Sequence, residues 1–206
     1  MTIRDYRNDH IDQLIINTPN IFNATPFPYL PLIPHPSLTH LGRNYGTYLL
    51  VTEQQGAIQY AEIPTAGTKA LSYMFSGCAM AYFNHNGHYY VAHIFLDLRS
   101  PNDCGNSWNQ FVLNEQNNIH EYVIFRPYSA NRIPNYITRV RRRRQLRDSV
   151  VGIILPDLRC YSVVTDWHYS AVKVFERTRH KYFSNDLSRE ANVLPFLIPT
   201  MNRRNW

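Results

Sequence analysis

Apolar and polar residues alternate in several separate stretches of the chain, and this period of two is typical of β-strands with one buried face. We predict strands at residues 45–51, 57–63, 78–83, 89–95, 121–126, 150–155, 160–165 and 171–175. Helical spacing predicts a short helix that is capped by Asn106 or Ser107, and a second helix at about 135–147. The sequence therefore predicts an α+β fold, a β-sandwich of mostly antiparallel strands with peripheral helices and long loops.

The two ends of the chain lack this alternation. Six prolines fall between residues 19 and 36, interleaved with aromatic and aliphatic side chains. Proline fixes φ and lacks a backbone N–H, so we expect residues 1–44 to run extended and to pack on the domain through their apolar side chains. The tail from residue 185 has apolar anchors at residues 194 and 196–198. A length of 206 residues fits one domain, residues 1–206.

Asn86-Gly87 between two apolar stretches is the strongest local signal in the chain, because a type I′ hairpin turn needs left-handed backbone at both central residues. A two-residue loop at this point pairs Met80 with His93. Cross-strand partners share a face, and side chains alternate along a strand. Cys78 is therefore predicted to be a diagonal neighbour of His93 on one face of the hairpin.

A thiol beside an imidazole has a known chemical use, since the base takes the thiol proton and leaves a thiolate–imidazolium couple that is a strong nucleophile. We expect Gly77 to adopt a strained turn, with the backbone N–H groups at Gly77 and Cys78 facing a developing oxyanion. Ser72 and Asp97 are the two candidates for orienting the His93 ring. The alternative is that the thiol and imidazole are ordinary buried residues.

Phe75-Ser76-Gly77-Cys78, followed fifteen residues later by His93, resembles the Leu-Ser-Gly-Cys…His signature of the deamidase domain of cytotoxic necrotizing factors and of the related Burkholderia lethal factor. Chemotaxis glutamine deamidases of the CheD type have a similar hairpin. The lethal-factor likeness extends to Ser72, at the place of a Thr that completes that family's catalytic triad, and to residues 108–111 and 150–152. It covers less than half of the chain, and Phe75 and Ser72 depart from the family's Leu and Thr.

This resemblance implies a toxin or effector that deamidates a glutamine side chain of a host protein. Cys78 would attack the carboxamide carbon, His93 would protonate the departing ammonia, and water would hydrolyse the thioester. No metal or organic cofactor is required. Two alternatives stay open: a transglutaminase or cysteine protease using the same dyad, and a non-enzymatic basic module that binds RNA or an acidic protein.

The charge of the chain is concentrated in one place. Lys and Arg number 21 against 15 Asp and Glu, a formal net charge of +6, and the six arginines between residues 139 and 147 equal that excess. We expect Arg141, Arg142, Arg143 and Arg144 to dock an acidic surface of the substrate protein, because arginines match carboxylate and phosphate geometry. A solvated face is the simpler alternative, and nucleic acid is the less favoured partner.

Other features bear on compartment and partners. No apolar run approaches the ~20 residues of a membrane helix, and no apolar signal core follows the first residues. Three cysteines without CxxC spacing indicate a reducing compartment. We expect a monomer that is secreted without a cleaved signal peptide and acts in the host cytoplasm, or otherwise a protein of the bacterial cytoplasm. A metal site at His85, His88 and His93 is disfavoured, since turn histidines are commonly solvated.

Overall fold

The computed structural model describes residues 38–40, 47–51, 58–63, 69–97, 99, 103–128, 133–140, 146–155, 157–166, 171–177, 181–183 and 196–199. The strands are β1 (Leu38–His40), β2 (Thr47–Val51), β3 (Ile58–Glu62), β4 (Lys69–Phe75), β5 (Ala79–His85), β6 (His88–Ile94), β7 (Ile119–Phe125), β8 (Leu146–Ile154), β9 (Cys160–Asp166), β10 (Ala171–Glu176) and β11 (Lys181–Phe183). The helices are α1 (Gly105–Asn114) and α2 (Ile133–Val140). Apart from β1, the predicted proline-rich segment lies outside the described residues.

The strands form two sheets. One has six strands in the order β1-β2-β4-β8-β9-β10, and the other has five in the order β11-β7-β5-β6-β3. Among the described pairs only β2 and β4 run parallel. Side chains of β4 in the six-stranded sheet contact His93 of β6 in the five-stranded sheet, and the backbone of Gly152 in β8 faces the Met80 side chain of β5. The predicted α+β fold of mostly antiparallel strands is confirmed, and these contacts form part of the predicted sandwich.

The hairpin between β5 and β6 has the predicted loop and register. Asn86 and Gly87 both have positive φ, 52° and 85°, and the Gly87 N–H donates to Asn84 Oδ1 at 3.0 Å. Met80 pairs with His93. The prediction is therefore confirmed, because the Asn-Gly turn fixes both the loop length and the face on which each side chain lies.

Helix α1 covers the outer face of the five-stranded sheet. The rings of Trp108 and Phe111 both meet Phe83 edge-on at about 5.5 Å between centroids, as their predicted helical spacing allows. The predicted caps were wrong. The helix begins at Gly105, so neither Asn106 nor Ser107 is its N-cap; that position is Cys104, whose side chain makes no capping hydrogen bond, and Asp103 Oδ1 accepts the Gly105 N–H at 3.0 Å.

Two predictions of secondary structure need correction. The second helix was predicted at 135–147, but the described helix is α2 (Ile133–Val140) and residues 146 and 147 belong to β8, so the predicted C-terminal end was wrong. Leu146 is fully buried and pairs with Asp166 of β9, so strand pairing determines the structure from that residue onward. Strands β1, β4 and β11 were not predicted, and β4 carries part of the candidate site.

The C-terminal anchor at Ile198 is confirmed. Its side chain is buried, and the Asn109 side chain binds its backbone on both sides, with Nδ2 donating to the Ile198 carbonyl and Oδ1 accepting the Ile198 N–H, each at 2.7 Å. No helix in the described part of the chain is long and apolar enough to cross a membrane.

Candidate active site

His93 lies on β6, between β5 and the edge strand β3 of the five-stranded sheet. Met80 of β5 pairs with it on one side, and Gln59 of β3 pairs with it on the other. Only 1% of its surface is exposed. Cys78 lies two residues before Met80, is itself buried and forms no disulfide. Cys78 directly precedes β5, and if the alternation of the strand extends by this one residue, the thiol lies on the face that carries the imidazole.

Ser72 orients the imidazole from the opposite sheet. Its Oγ lies 2.8 Å from His93 Nδ1, and the Ser72 side chain is fully buried on β4. Asp97, the other candidate, is placed differently, because its Oδ1 accepts the Arg99 N–H at 3.0 Å and its own N–H donates to Asp103 Oδ2 at 2.7 Å. Of the two candidates, the structure brings Ser72 to the His93 ring.

A β-bulge in β4 aims two side chains at the same ring. Ser72 pairs with Gly152 and Phe75 with Val150, so two residues of β4, at positions 73 and 74, lie opposite one residue of β8. In a regular strand, residues three apart point to opposite faces. The extra residue turns Phe75 back to the face of Ser72, and Met74 adopts a left-handed φ of 66° at this point.

Phe75 stacks on the imidazole. The two ring centroids are 4.1 Å apart and the planes differ by 4°. Gly152 leaves space for this ring, because a Cβ there would lie 2.9 Å from Phe75 Cε2, 2.8 Å from Pro127 Cγ and 3.0 Å from Met80 Sδ. The imidazole is therefore held by a hydrogen bond at its edge and by a flat ring on its face.

Burial makes His93 a neutral base. Desolvation lowers its pKa from 6.5 to about 3, so the resting ring carries no charge at neutral pH. The thiolate–imidazolium couple expected from the sequence is thus disfavoured in this buried site. Nε2 has no hydrogen-bond partner among the described residues. If Nδ1–H donates to Ser72 Oγ, the Nε2 lone pair remains to accept a proton from a thiol.

The chain approaching Cys78 reaches the surface. Met74 is 45% exposed, Ser76 is exposed and Gly77 is half-buried. Gly77, where the sequence allowed a strained turn, does not have a positive φ, and the left-handed residue in this stretch is Met74. The Gly77 carbonyl accepts a hydrogen bond from Arg126 Nε at 3.0 Å. One side of the Gly77–Cys78 peptide is therefore fixed by a side chain from the end of β7.

The other two thiols are poorly suited to nucleophilic attack. Burial, reinforced by the neighbouring Asp103 carboxylate, raises the pKa of Cys104 to about 11. Burial also raises the pKa of Cys160, whose Sγ donates to the Leu158 carbonyl at 3.5 Å. Both thiols therefore stay protonated at neutral pH, as expected of structural cysteines.

The turn histidines each meet a carboxylate. His85 Nε2 lies 2.9 Å from Glu115 Oε2, and His88 Nδ1 lies 2.8 Å from Glu62 Oε1. These pairs are separate from one another, and within the described ranges no group of three or more potential ligands could hold a metal ion. Arg141, Arg142, Arg143 and Arg144 lie outside the described residues.

Two residues of the site were not predicted. Gln59 is 3% exposed and shares the face of His93, its cross-strand partner. The strand that contains it was predicted, but its pairing with β6 depends on long-range contacts. Arg126 ended a predicted strand, and nothing in the sequence indicated its contact with Gly77, a residue 49 positions away.

No protein-family model matches the chain, and no curated protein matches it.

Proposed function

We propose that this protein is a cysteine-dependent glutamine deamidase that converts a glutamine of a host protein to glutamate. The observation that carries the proposal is the 2.8 Å hydrogen bond between Ser72 Oγ and His93 Nδ1, which orients a buried imidazole close in sequence and register to Cys78. A nucleophile, a base and an orienting group are the three parts that such sites need.

The reaction requires only these side chains. The Cys78 sulfur adds to the carboxamide carbon as His93 Nε2 takes the thiol proton. The C–N bond then breaks, the proton passes to the departing nitrogen, and ammonia leaves a thioester. Water, deprotonated by His93, attacks the thioester and releases glutamate and the thiol. Because His93 rests neutral, the proton moves as the sulfur attacks rather than beforehand.

The substrate protein and place of action form part of the same proposal. None of the three cysteines forms a disulfide, which suits a reducing compartment such as the host cytoplasm. We propose secretion by a route other than a cleaved signal peptide. Arg141, Arg142, Arg143 and Arg144 supply the docking surface for an acidic region of the target, through charge rather than through the chemistry of the site.

The test compares wild-type protein with Cys78→Ser in a eukaryotic cell extract. Mass spectrometry should find a glutamine that gains about 1 Da with the wild type only, as replacement of nitrogen by oxygen through a thioester requires. In water enriched in ¹⁸O, the new carboxylate should carry one heavy oxygen. Cys104→Ser is the matched control, because it removes another buried thiol and should leave the rate unchanged.

The same experiment separates the alternatives. Incorporation of an added primary amine at the glutamine would indicate a transglutaminase, and a cleaved chain would indicate a protease. Modification that persists in Cys78→Ser would refute catalysis by this thiol. Binding of extract RNA that depends on the arginines and is indifferent to Cys78 would favour the non-enzymatic basic module.

A further inference from the structure

Arg126 lies against the backbone that precedes Cys78. It is the first residue after β7 (Ile119–Phe125) and is half-buried. Its Nε donates to the Gly77 carbonyl at 3.0 Å, and its Nη2 lies 3.9 Å from the position that a Cβ on Gly77 would occupy. The guanidinium thus contacts the backbone segment directly before Cys78 through a hydrogen bond of ordinary length.

This hydrogen bond fixes a peptide plane. The Gly77 carbonyl and the Cys78 N–H belong to one planar trans peptide, in which the two groups point in opposite directions. A donor that holds the carbonyl therefore also sets the direction of the N–H. Arginine suits this role because its guanidinium is planar and its donors have a rigid geometry.

We propose that Arg126 is a positioning residue of the active site, and that its hydrogen bond to the Gly77 carbonyl aims the Cys78 N–H at the oxyanion formed when the thiol attacks the carboxamide. The inference rests on the proposed deamidase function. Charge on the substrate oxygen develops only in the transition state, so a misdirected N–H slows that step more than it weakens binding.

The test compares two reactions of Cys78 in the same variants. Deamidation is followed as the rate at which the target glutamine identified in the extract is converted to glutamate. Alkylation by iodoacetamide is followed at Cys78 by peptide mass spectrometry. In alkylation the sulfur attacks a saturated carbon and iodide leaves, so no oxyanion forms. Arg126→Met should slow deamidation at least about tenfold, the scale of a small misplacement, and change alkylation less than about threefold.

Arg126→Lys is the matched variant, because it keeps a charged donor but loses the rigid fork, and its deamidation rate should fall between those of the wild type and Arg126→Met. If Arg126→Met fails to fold, the deamidation and alkylation rates of Arg126→Lys test the inference instead. Deamidation at the wild-type rate in both variants would overturn the inference alone. A parallel loss of alkylation would also overturn it, since Arg126 would then act on the thiol. A wild-type protein that is alkylated but deamidates nothing would instead overturn the proposed function.

Discussion

Gly152→Ala tests the packing that holds the candidate site together. A Cβ at this position would lie under 3.0 Å from both Pro127 and Phe75, a distance that real Cβ atoms essentially never show. Phe75 is fully buried and stacked on His93, so neither the ring nor the proline can move away without loss of contacts. Inserting a carbon into such a core costs about 1–3 kcal/mol of unfolding free energy.

The expected change is large enough to measure. For a chain of this size each kcal/mol lowers Tm by about 2–4 °C, so Gly152→Ala should lower Tm by about 2–12 °C in thermal unfolding followed by circular dichroism. Deamidation should fall as well, because the displaced Phe75 ring no longer holds the imidazole.

Gly77→Ala is the matched stability control for this substitution. A Cβ there would meet the Leu96 carbonyl oxygen at 3.6 Å and Arg126 Nη2 at 3.9 Å, both ordinary contact distances. Its unfolding free energy should stay within about 0.5 kcal/mol of the wild type. A Gly152→Ala protein with wild-type Tm and wild-type activity would refute the reasoning, since the contacts at Phe75 would then not constrain the site.

Three further predictions concern the site and its bulge. Ser72→Ala should lower the free energy of unfolding in urea by about 1–3 kcal/mol, because it leaves a buried ring nitrogen of His93 unsatisfied, and it should slow deamidation. Ser72→Thr keeps the hydroxyl and should keep most of the deamidation rate. Equal deamidation rates for the wild type and both variants would contradict the orienting role of Ser72. Burial lowers the pKa of His93 from 6.5 to about 3, so below pH 6.5 the unfolded chain binds a proton that the folded protein does not. The free energy of unfolding should therefore lose nothing from His93 above about pH 6.5, and should fall between pH 6.5 and pH 3 by up to about 1.4 kcal/mol per pH unit. Urea unfolding should find this slope in the wild type and not in His93→Gln. Met74 has a left-handed φ and a largely exposed side chain. Met74→Gly should therefore change the free energy of unfolding by less than about 1 kcal/mol, whereas Met74→Val, which is β-branched, should lower it by about 1–2 kcal/mol. Equal stability of the two variants in urea would contradict backbone strain at this position.

The hairpin was predictable because its determinants are local. Asn86-Gly87 requires a particular turn, the turn sets the register, and the register pairs Met80 with His93. The buried positions of α1 follow in the same way from helical spacing within a single short segment. In both cases a few neighbouring residues suffice to decide the backbone.

Strand β4 could not be predicted in this way. Its bulge breaks the period of two between Ser72 and Phe75, so the alternation of apolar and polar residues that predicts a strand is absent where β4 contacts His93. Ser72 was proposed only from its distance to Cys78 along the chain and from a family resemblance. Arg126 and Gln59 depend on pairing between strands far apart in sequence, which no local pattern records.

The location of the imidazole has a consequence for folding. His93 belongs to the five-stranded sheet, whereas Ser72 and Phe75 reach it from the six-stranded sheet. Neither sheet alone holds the His93 ring against Ser72 and Phe75, so a partly folded chain with one sheet formed would lack the arrangement that we propose activates Cys78. If the protein unfolds to pass between compartments, the proposed deamidase would be inactive during passage, and activity would begin only when the two sheets pack against each other.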